Sequence, residues 1–424
     1  MPWTFVVLLA VTEVVAHWFH LPRDGRWMDT YVYARGASSF LSHPTHLYDA
    51  AVGQLHSASP QNAFVYPPSG LAAFLPFVPV TRLLGVTWTA ELWSCIDTAA
   101  LLVGLTLVAR QLSMSMERTG WVMAVLLLTL PVLSEIDSGQ VEGVIVLLLA
   151  LSWRSWPRPP SGLLLGLALA VKPIALPLLA LPLALRRPRL AVIAVTTFLV
   201  LNLPFLPFLG SAGLGFYLFH FLPYMSAHVM QDAANLSVAN LVHTWVGGVP
   251  MQAGDHIAVT RLHSMALADL VLWAIRGTAL VLLARVLVQR RQGPVVGFAM
   301  ALAVVPLLAP TAWAHYHVFL LPAIFVLLTA QSVRVRRLTL GALLAGMLLN
   351  SALDIATFHL APYPIDLATN ANLANALVIL QGELWAVASV AVVVAIAAVR
   401  LPLHSAWRPV RLMPAGHHDS VVPA

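Results

Sequence analysis

The sequence predicts an all-α polytopic membrane protein, and three observations lead to this prediction. Hydrophobic residues make up 59% of the 424 residues and charged residues only 9%, whereas soluble domains carry about 25% charged residues. The apolar residues form runs that approach the roughly 20 residues a membrane helix needs. The basic residues, all arginine except Lys172, cluster between these runs. This clustering is typical of membrane topology and does not indicate nucleic-acid binding.

The apolar runs define about twelve candidate transmembrane helices: 3–19, 87–109, 119–134, 140–153, 161–171, 173–185, 190–209, 265–288, 294–311, 317–331, 338–357 and 374–398. The first run has no basic segment before it and no small-residue cleavage site after it. We therefore expect a retained helix and not a cleaved signal peptide. Residues 1–400 are predicted to form a single membrane domain, and 401–424 a disordered cytoplasmic tail.

A thirteenth apolar stretch, 69–84, is short and contains Pro76 and Pro79. If it enters and leaves the membrane on one side, all six arginine clusters fall on the cytoplasmic face, as the positive-inside rule requires. We therefore expect a re-entrant or short segment here. Loops 20–66 and 210–264 then lie outside, the second with interfacial helices. Polar turns converge on this outer face, which predicts a cavity that opens outward.

Asp29 lies where the chain leaves the first span, at the start of an outer loop. Apolar and aromatic residues recur after it at helical spacing, so we expect a helix to begin at Asp29. Aspartate is a favoured N-cap residue, so capping is one reading; a catalytic base is the other. Asp24 and Asp49 share the loop but lie among turn-forming residues and are weaker candidates.

Lys172 interrupts an otherwise apolar run, 163–185. A cation inside a membrane is costly, and its usual explanation is a functional partner, here a phosphate. The alternative is a lysine that extends from a helix end to the interface.

Other polar residues form a second group of candidates. His315 and His317 stand two residues apart and do not share a helix face, so they make a poor metal pair; we expect no metal and no cofactor. Further polar groups on the predicted outer face are Gln140, Glu142, Asn235 and Ser237. Glu91 and Asp97 are expected to be hydrogen-bond partners inside the membrane, and the single cysteine, Cys95, to pack between helices.

Five short motifs occur in a fixed order: Asp29-x-x-Val32-Tyr33, Phe64-x-Tyr66-Pro67-Pro68, Gly139-Gln140-Val141, Val171-Lys172-Pro173 and Trp313-x-His315. This order resembles glycosyltransferase family 87 from about residue 25 to about residue 325. The resemblance implies a GT-C fold, a polyprenyl-phosphate-sugar donor and a glycolipid acceptor on the outer face of the plasma membrane. Mannose is the expected sugar, transferred with inversion, and arabinofuranose is the alternative within the family.

The resemblance also implies roles for individual residues. Asp29 and His315 are expected to be catalytic, and Lys172 and His315 to hold the donor phosphate. Residues expected to bind substrate are Tyr33, Tyr66, Gln140, Glu142, Asn235, Ser237 and His317. Three departures bear on the acceptor. Glu142 stands where family members usually have asparagine, Asn235-Leu236-Ser237 only loosely resembles their Asn-Gln-Ser, and Tyr316 replaces a frequent second histidine.

Two other classes of function fit parts of the sequence. Broken helices and polar residues at mid-membrane also describe transporters and flippases, and a lipid-binding scaffold would need neither a poised carboxylate nor a lysine. The long outer loops with their acids, and the absence of an internal repeat, favour a transferase.

Overall fold

The computed structural model describes residues 2–20, 29–49, 64–227, 235–247, 252–253, 256–257, 264–288, 293–354 and 384–398. Within these ranges the chain is helical, apart from a short antiparallel pairing of Gln252–Ala253 with His256–Ile257. The predicted helical class is therefore confirmed, while this small hairpin was not foreseen. Asp24 and the predicted tail 401–424 lie outside the described residues.

Helices of three kinds follow one another along the chain. The α-helices are Pro2–His20, Asp29–Ser42, Val78–Leu84, Val86–Gln111, Met116–Leu127, Leu130–Ser138, Glu142–Arg154, Pro159–Val171, Ala180–Ala184, Pro188–Asn202, Leu206–Phe216, Leu222–Ala227, Val238–Trp245, Met265–Val288, Gly293–Leu308, Leu321–Leu328, Val333–Asp354 and Leu384–Ala398. Short 3-10 helices are Pro44–His46, Pro68–Ala73, Leu75–Phe77, Pro173–Leu179, Leu203–Phe205 and Ala314–Leu320, and Tyr217–Phe221 is a π-helix.

Three described helices are long and apolar enough to cross a membrane: Val86–Gln111, Pro188–Leu209 and Met265–Val288. A fourth is obtained if the bent pair Met116–Leu127 and Leu130–Ser138 counts as one span. Shorter apolar helices coincide with several other predicted spans. These helices identify a membrane protein, and the expected number of twelve spans stays a prediction.

The span predicted over 119–134 is broken in the structure. One helix ends at Leu127, the next begins at Leu130, and their axes differ by 67°. Pro131 lies in the first turn of the second helix, where its missing N–H has no helical partner to lose. A hydropathy profile does not detect this break because the residues on both sides of it are apolar.

The stretch 69–84 has the interrupted form expected from its prolines. It consists of the 3-10 helices Pro68–Ala73 and Leu75–Phe77 and the α-helix Val78–Leu84. The helix stops at Gly85, whose φ of 93° is accessible to glycine at little cost. Whether the segment re-enters or crosses the membrane stays a prediction.

Close helix packing depends on glycines without side chains. Gly162 and Gly166 lie on the helix Pro159–Val171 where added β-carbons would come within 2.7 Å of Leu190 O and 2.5 Å of Ala194 O. Small residues four apart allow membrane helices to approach this closely. The contact fixes the direction of Pro159–Val171 and therefore the position of Lys172, the residue that follows it.

Candidate functional site

Lys172 occupies a break between two helical segments. Its backbone is extended, with φ −154° and ψ 122°, because a residue before proline disfavours the helical conformation. Pro173 then begins a 3-10 helix. This break takes Lys172 out of the helical register, and its side chain is buried. The interruption predicted at Lys172-Pro173 is thus confirmed.

The Lys172 ammonium is enclosed by oxygen atoms and aromatic rings. Its Nζ lies 2.5 Å from Glu142 Oε1 and 3.4 Å from Gln140 Oε1. The ring centroids of Tyr66 and Tyr316 are 5.3 Å and 4.4 Å away, within the range of cation–π contact. The Lys172 side chain therefore stays inside the protein and does not extend to the membrane interface.

Gln140 belongs to a turn that joins the site to the helix Asp29–Ser42. The Tyr33 hydroxyl donates to Gln140 Oε1 at 3.3 Å, and Thr30 Oγ1 donates to Gly139 O at 2.7 Å. Trp93 Nε1 donates to the backbone carbonyl of Gln140. These bonds hold the first turn of the helix, and with it Asp29, against the lysine site.

Asp29 is the first residue of its helix, as predicted. Burial raises the pKa of the Asp29 carboxyl to about 6; the Lys172 ammonium opposes this rise and the Glu142 carboxylate adds to it. Asp29 therefore lies close enough to Lys172 and Glu142 for both charges to change its pKa. A carboxyl with this pKa is mostly ionised at neutral pH and is a stronger base than an exposed aspartate, as general base catalysis requires.

His315 reaches the same centre from the 3-10 helix Ala314–Leu320. Its Nε2 lies 4.0 Å from Glu142 Oε1, and its side chain is only 3% exposed. Neither ring nitrogen has a hydrogen-bond partner within the described residues. Buried polar atoms are rarely left unpaired in native proteins, so this imidazole is available to a ligand beside Lys172.

His317 and its neighbours make different contacts. His317 Nδ1 lies 3.3 Å from Trp313 O, and its ring centroid is 5.5 Å from that of Trp385. One ring nitrogen therefore has a backbone partner and the ring has an aromatic neighbour. The expected contact between His317 and substrate stays a prediction.

Asn235 and Ser237 tie two loops together next to the histidine turn. Asn235 Oδ1 accepts from the backbone N–H groups of Ser237 at 3.1 Å and Ala312 at 2.9 Å. Ser237 Oγ donates to Pro310 O at 2.9 Å and accepts from Asn240 N–H as the N-cap of its helix. These bonds position the turn that carries His315, and a direct contact of either residue with substrate stays a prediction.

Two buried acids hold Glu142 in place from behind. Glu135 Oε1 accepts from Gly143 N–H at 3.1 Å, and Asp97 Oδ1 accepts from Val144 N–H at 2.9 Å. These donors belong to the first turn of the helix Glu142–Arg154, which has no carbonyl partners of its own there. Gly143 is required because an added β-carbon would lie 2.4 Å from Asp97 Oδ2.

Sequence reasoning foresaw some of these groups and missed others. It expected Asp97 to accept a hydrogen bond inside the membrane, which is confirmed. It did not single out Glu135, although an acid at the end of an apolar run is a detectable signal. It treated Tyr316 only as a replacement for histidine, whereas its ring contacts Lys172. Among the residues that the structure describes, no three His, Cys, Asp or Glu side chains form a metal-binding group.

Comparisons with known proteins indicate a glycosyltransferase. The sequence-family model described as "Glycosyltransferase family 87" matches residues 64–311, more than half of the chain. A polyprenol-phosphate-mannose-dependent α-(1-2)-phosphatidylinositol pentamannoside mannosyltransferase of Mycobacterium tuberculosis (strain CDC 1551 / Oshkosh) is 27% identical over 328 residues, 74% of this chain and 70% of the relative. A protein of the same name from Mycolicibacterium smegmatis (strain ATCC 700084 / mc(2)155) is 34% identical over 173 residues, 39% of this chain and 40% of the relative. No solved structure matches.

Proposed function

The chain belongs to glycosyltransferase family 87, and from this premise we propose that it transfers mannose from a polyprenyl-phosphate-mannose donor to a glycolipid. Both curated relatives are named for that donor and for a phosphatidylinositol mannoside acceptor. The observation that carries the proposal is the buried Lys172 beside Asp29 and His315, whose ring has no hydrogen-bond partner among the described residues. Together they supply a cation for a phosphate, a base for a hydroxyl and a free imidazole.

The donor phosphate binds at Lys172. A sugar linked to a lipid through phosphate is a diester with one negative charge, so it can replace the Glu142 carboxylate as the partner of the ammonium. The Tyr66 and Tyr316 rings keep the lysine in place during this exchange. His315, whose ring nitrogens are unpaired within the described part of the chain, donates a hydrogen bond to the same phosphate. Fixed positive groups at this point stabilise the charge that grows on the departing phosphate.

Asp29 takes the proton of the acceptor. As the acceptor hydroxyl oxygen bonds to the anomeric carbon of mannose, the bond from that carbon to the phosphate oxygen breaks and its electron pair leaves with the lipid phosphate. The hydroxyl proton passes to the Asp29 carboxylate. Attack opposite the leaving group inverts the anomeric centre, so a β-linked donor gives an α-mannoside.

The site faces the outside of the plasma membrane in a GT-C fold of about twelve spans. This part of the proposal rests on the arginine clusters, which the positive-inside rule assigns to the cytoplasm. The helix Asp29–Ser42 and the turns that carry Gln140 and His315 then lie on the opposite face.

The proposal is tested with the full chain in liposomes that contain mycobacterial glycolipid extract. Labelled polyprenyl-phosphate-mannose is the donor, and the arabinofuranosyl donor is run in parallel. We expect a labelled mannolipid with the first donor and little product with the second. Movement of intact donor across the bilayer without any glycolipid product would contradict the proposed transferase activity and indicate a transporter.

A further inference from the structure

A cavity lies away from the lysine site, between the helices Met116–Leu127 and Val333–Asp354. Its volume is about 540 Å³. Its apolar wall includes Trp121, Val125 and Leu340. Three arginines, Arg118, Arg336 and Arg337, also line it. The cavity thus combines a hydrocarbon surface with concentrated positive charge.

No acidic side chain among the described residues pairs with these arginines. Of the described residues that line the cavity, Glu117 is the one acid, so this lining carries a net charge of +2. In the described part of the chain none of the three arginines forms an ion pair, and Arg336 is close enough to Arg118 for their charges to repel. Arg118 donates one bond, from Nη2 to the Leu328 carbonyl, which orients the guanidinium and leaves its other N–H groups available.

We propose that this cleft binds one anionic phospholipid, with the headgroup phosphate among Arg118, Arg336 and Arg337 and an acyl chain along Trp121, Val125 and Leu340. Guanidinium groups match the oxygens of a phosphate in a forked geometry. Basic pockets between membrane helices bind acidic headgroups on the cytoplasmic side, the face that the positive-inside rule assigns to these arginines. The apolar wall selects a lipid over a free phosphate ion, which would gain nothing from it.

The expected consequence is a lipid that joins two helices. Arg118 comes from Met116–Leu127, whereas Arg336 and Arg337 come from Val333–Asp354, whose Leu338 is 63% exposed. A phosphate bound to both would replace repulsion between the helices with a shared anion. Anything that binds only the folded protein stabilises it, so the bound lipid should raise the unfolding temperature.

The test measures lipid retention by native mass spectrometry and thermal unfolding of the full chain. The probes are dioleoyl phosphatidylglycerol and dioleoyl phosphatidylcholine, which differ only in headgroup. We expect one retained phosphatidylglycerol and a higher unfolding temperature with that lipid. Arg336→Gln/Arg337→Gln should weaken its retention by at least about tenfold, since hydrogen bonds to charged groups contribute at least that much.

Two further variants separate the cleft from surface charge. Arg187→Gln/Arg189→Gln removes the same charge from arginines outside the cavity lining, and this control should retain phosphatidylglycerol as the parent does. Val125→Trp leaves every charge in place but fills the apolar wall, and it should lose the lipid. Equal loss in the control, or full retention by Val125→Trp, would overturn the proposal in favour of diffuse attraction. Displacement of the lipid by millimolar inorganic phosphate would overturn it in favour of a simple anion site.

Discussion

The Lys172 ammonium lies 2.5 Å from Oε1 of Glu142, and both side chains are buried. Glu142 therefore occupies the position that we assign to an oxygen of the donor phosphate. Breaking a buried ion pair by removing one partner costs about 3–5 kcal/mol, whereas replacing both partners is often close to neutral. Comparing a single substitution with the double substitution therefore distinguishes the contribution of the pair to stability from its contribution to the reaction.

Lys172→Met should lower stability and abolish donor use together. The variant leaves the Glu142 carboxylate buried without its cation, so we expect a loss of about 3–5 kcal/mol in unfolding free energy. Mannosyl transfer should fall below detection because the phosphate has no counter-ion. Unfolding in detergent and transfer in liposomes measure the two effects.

Lys172→Met/Glu142→Gln supplies the control for this prediction. With both charges gone, the unfolding free energy should return most of the way to the parent value while transfer stays absent. Recovery of transfer in the double variant would show that the lysine is structural and that the phosphate binds elsewhere.

Asp29→Asn should slow transfer by roughly 10²–10⁴-fold, as expected for loss of a general base. Asparagine has nearly the same size and is an equally good N-cap residue, so a capping role predicts a variant with normal activity. Donor binding should match the parent. The unfolding temperature should not fall, because burial disfavours the ionised Asp29 carboxylate that the substitution removes. Near-normal transfer would remove Asp29 from the mechanism and make Asp49 the next carboxylate to test.

The pH profile should report the same group. The pKa of Asp29 is raised to about 6, and only the ionised carboxylate accepts a proton. Transfer at low donor concentration should therefore be constant above that pH and fall about tenfold per unit below it. Glu142→Gln removes a negative charge that raises this pKa, so the acid limb should move to lower pH. A limb that stays in place when Asp29 is replaced by asparagine would belong to another group.

His315→Gln should reduce transfer without changing stability, whereas Asn235→Leu should lower stability. His315 has no hydrogen bond to lose among the described residues, so its replacement should leave unfolding unchanged and reduce transfer by roughly 10²–10³-fold, as for a lost phosphate or oxyanion donor.

Asn235→Leu leaves the N–H groups of Ser237 and Ala312 without their acceptor, at about 1–3 kcal/mol for each unsatisfied group. Unchanged stability in Asn235→Leu would contradict its role as a link between the loops.

Topology is checked with single cysteines in a Cys95→Ala background. A membrane-impermeant maleimide added outside intact cells should label Thr45→Cys and not Arg187→Cys. The reverse pattern would place residues 20–66 in the cytoplasm and invert the proposed orientation of the site.

The sequence specifies local features of this fold, such as where a helix begins or breaks. It does not specify which distant side chains come into contact. The helix at Asp29 and the break at Lys172-Pro173 could be predicted because spacing and proline chemistry act on neighbouring residues. The topology and the order of the motifs both predict that Asp29, Lys172 and His315 come together, but neither specifies the contacts among them. The Glu142 ion pair was missed because it joins positions 30 residues apart, and nothing in either local sequence specifies the partner. Glu135 stands at the end of an apolar run and could have been singled out, but its hydrogen bond to Gly143 N–H on the next helix could not be read from that position.

Glu142 stays part of the site after the donor phosphate has replaced its carboxylate beside Lys172. This has a consequence for release of the product phosphate. In the proposed reaction the phosphodiester becomes a lipid monoester, which carries additional negative charge and would bind Lys172 more strongly. The displaced carboxylate competes for the same ammonium from a fixed distance, at a high effective concentration. In the proposed cycle its return would displace the spent lipid carrier and restore the Lys172–Glu142 ion pair seen in the structure.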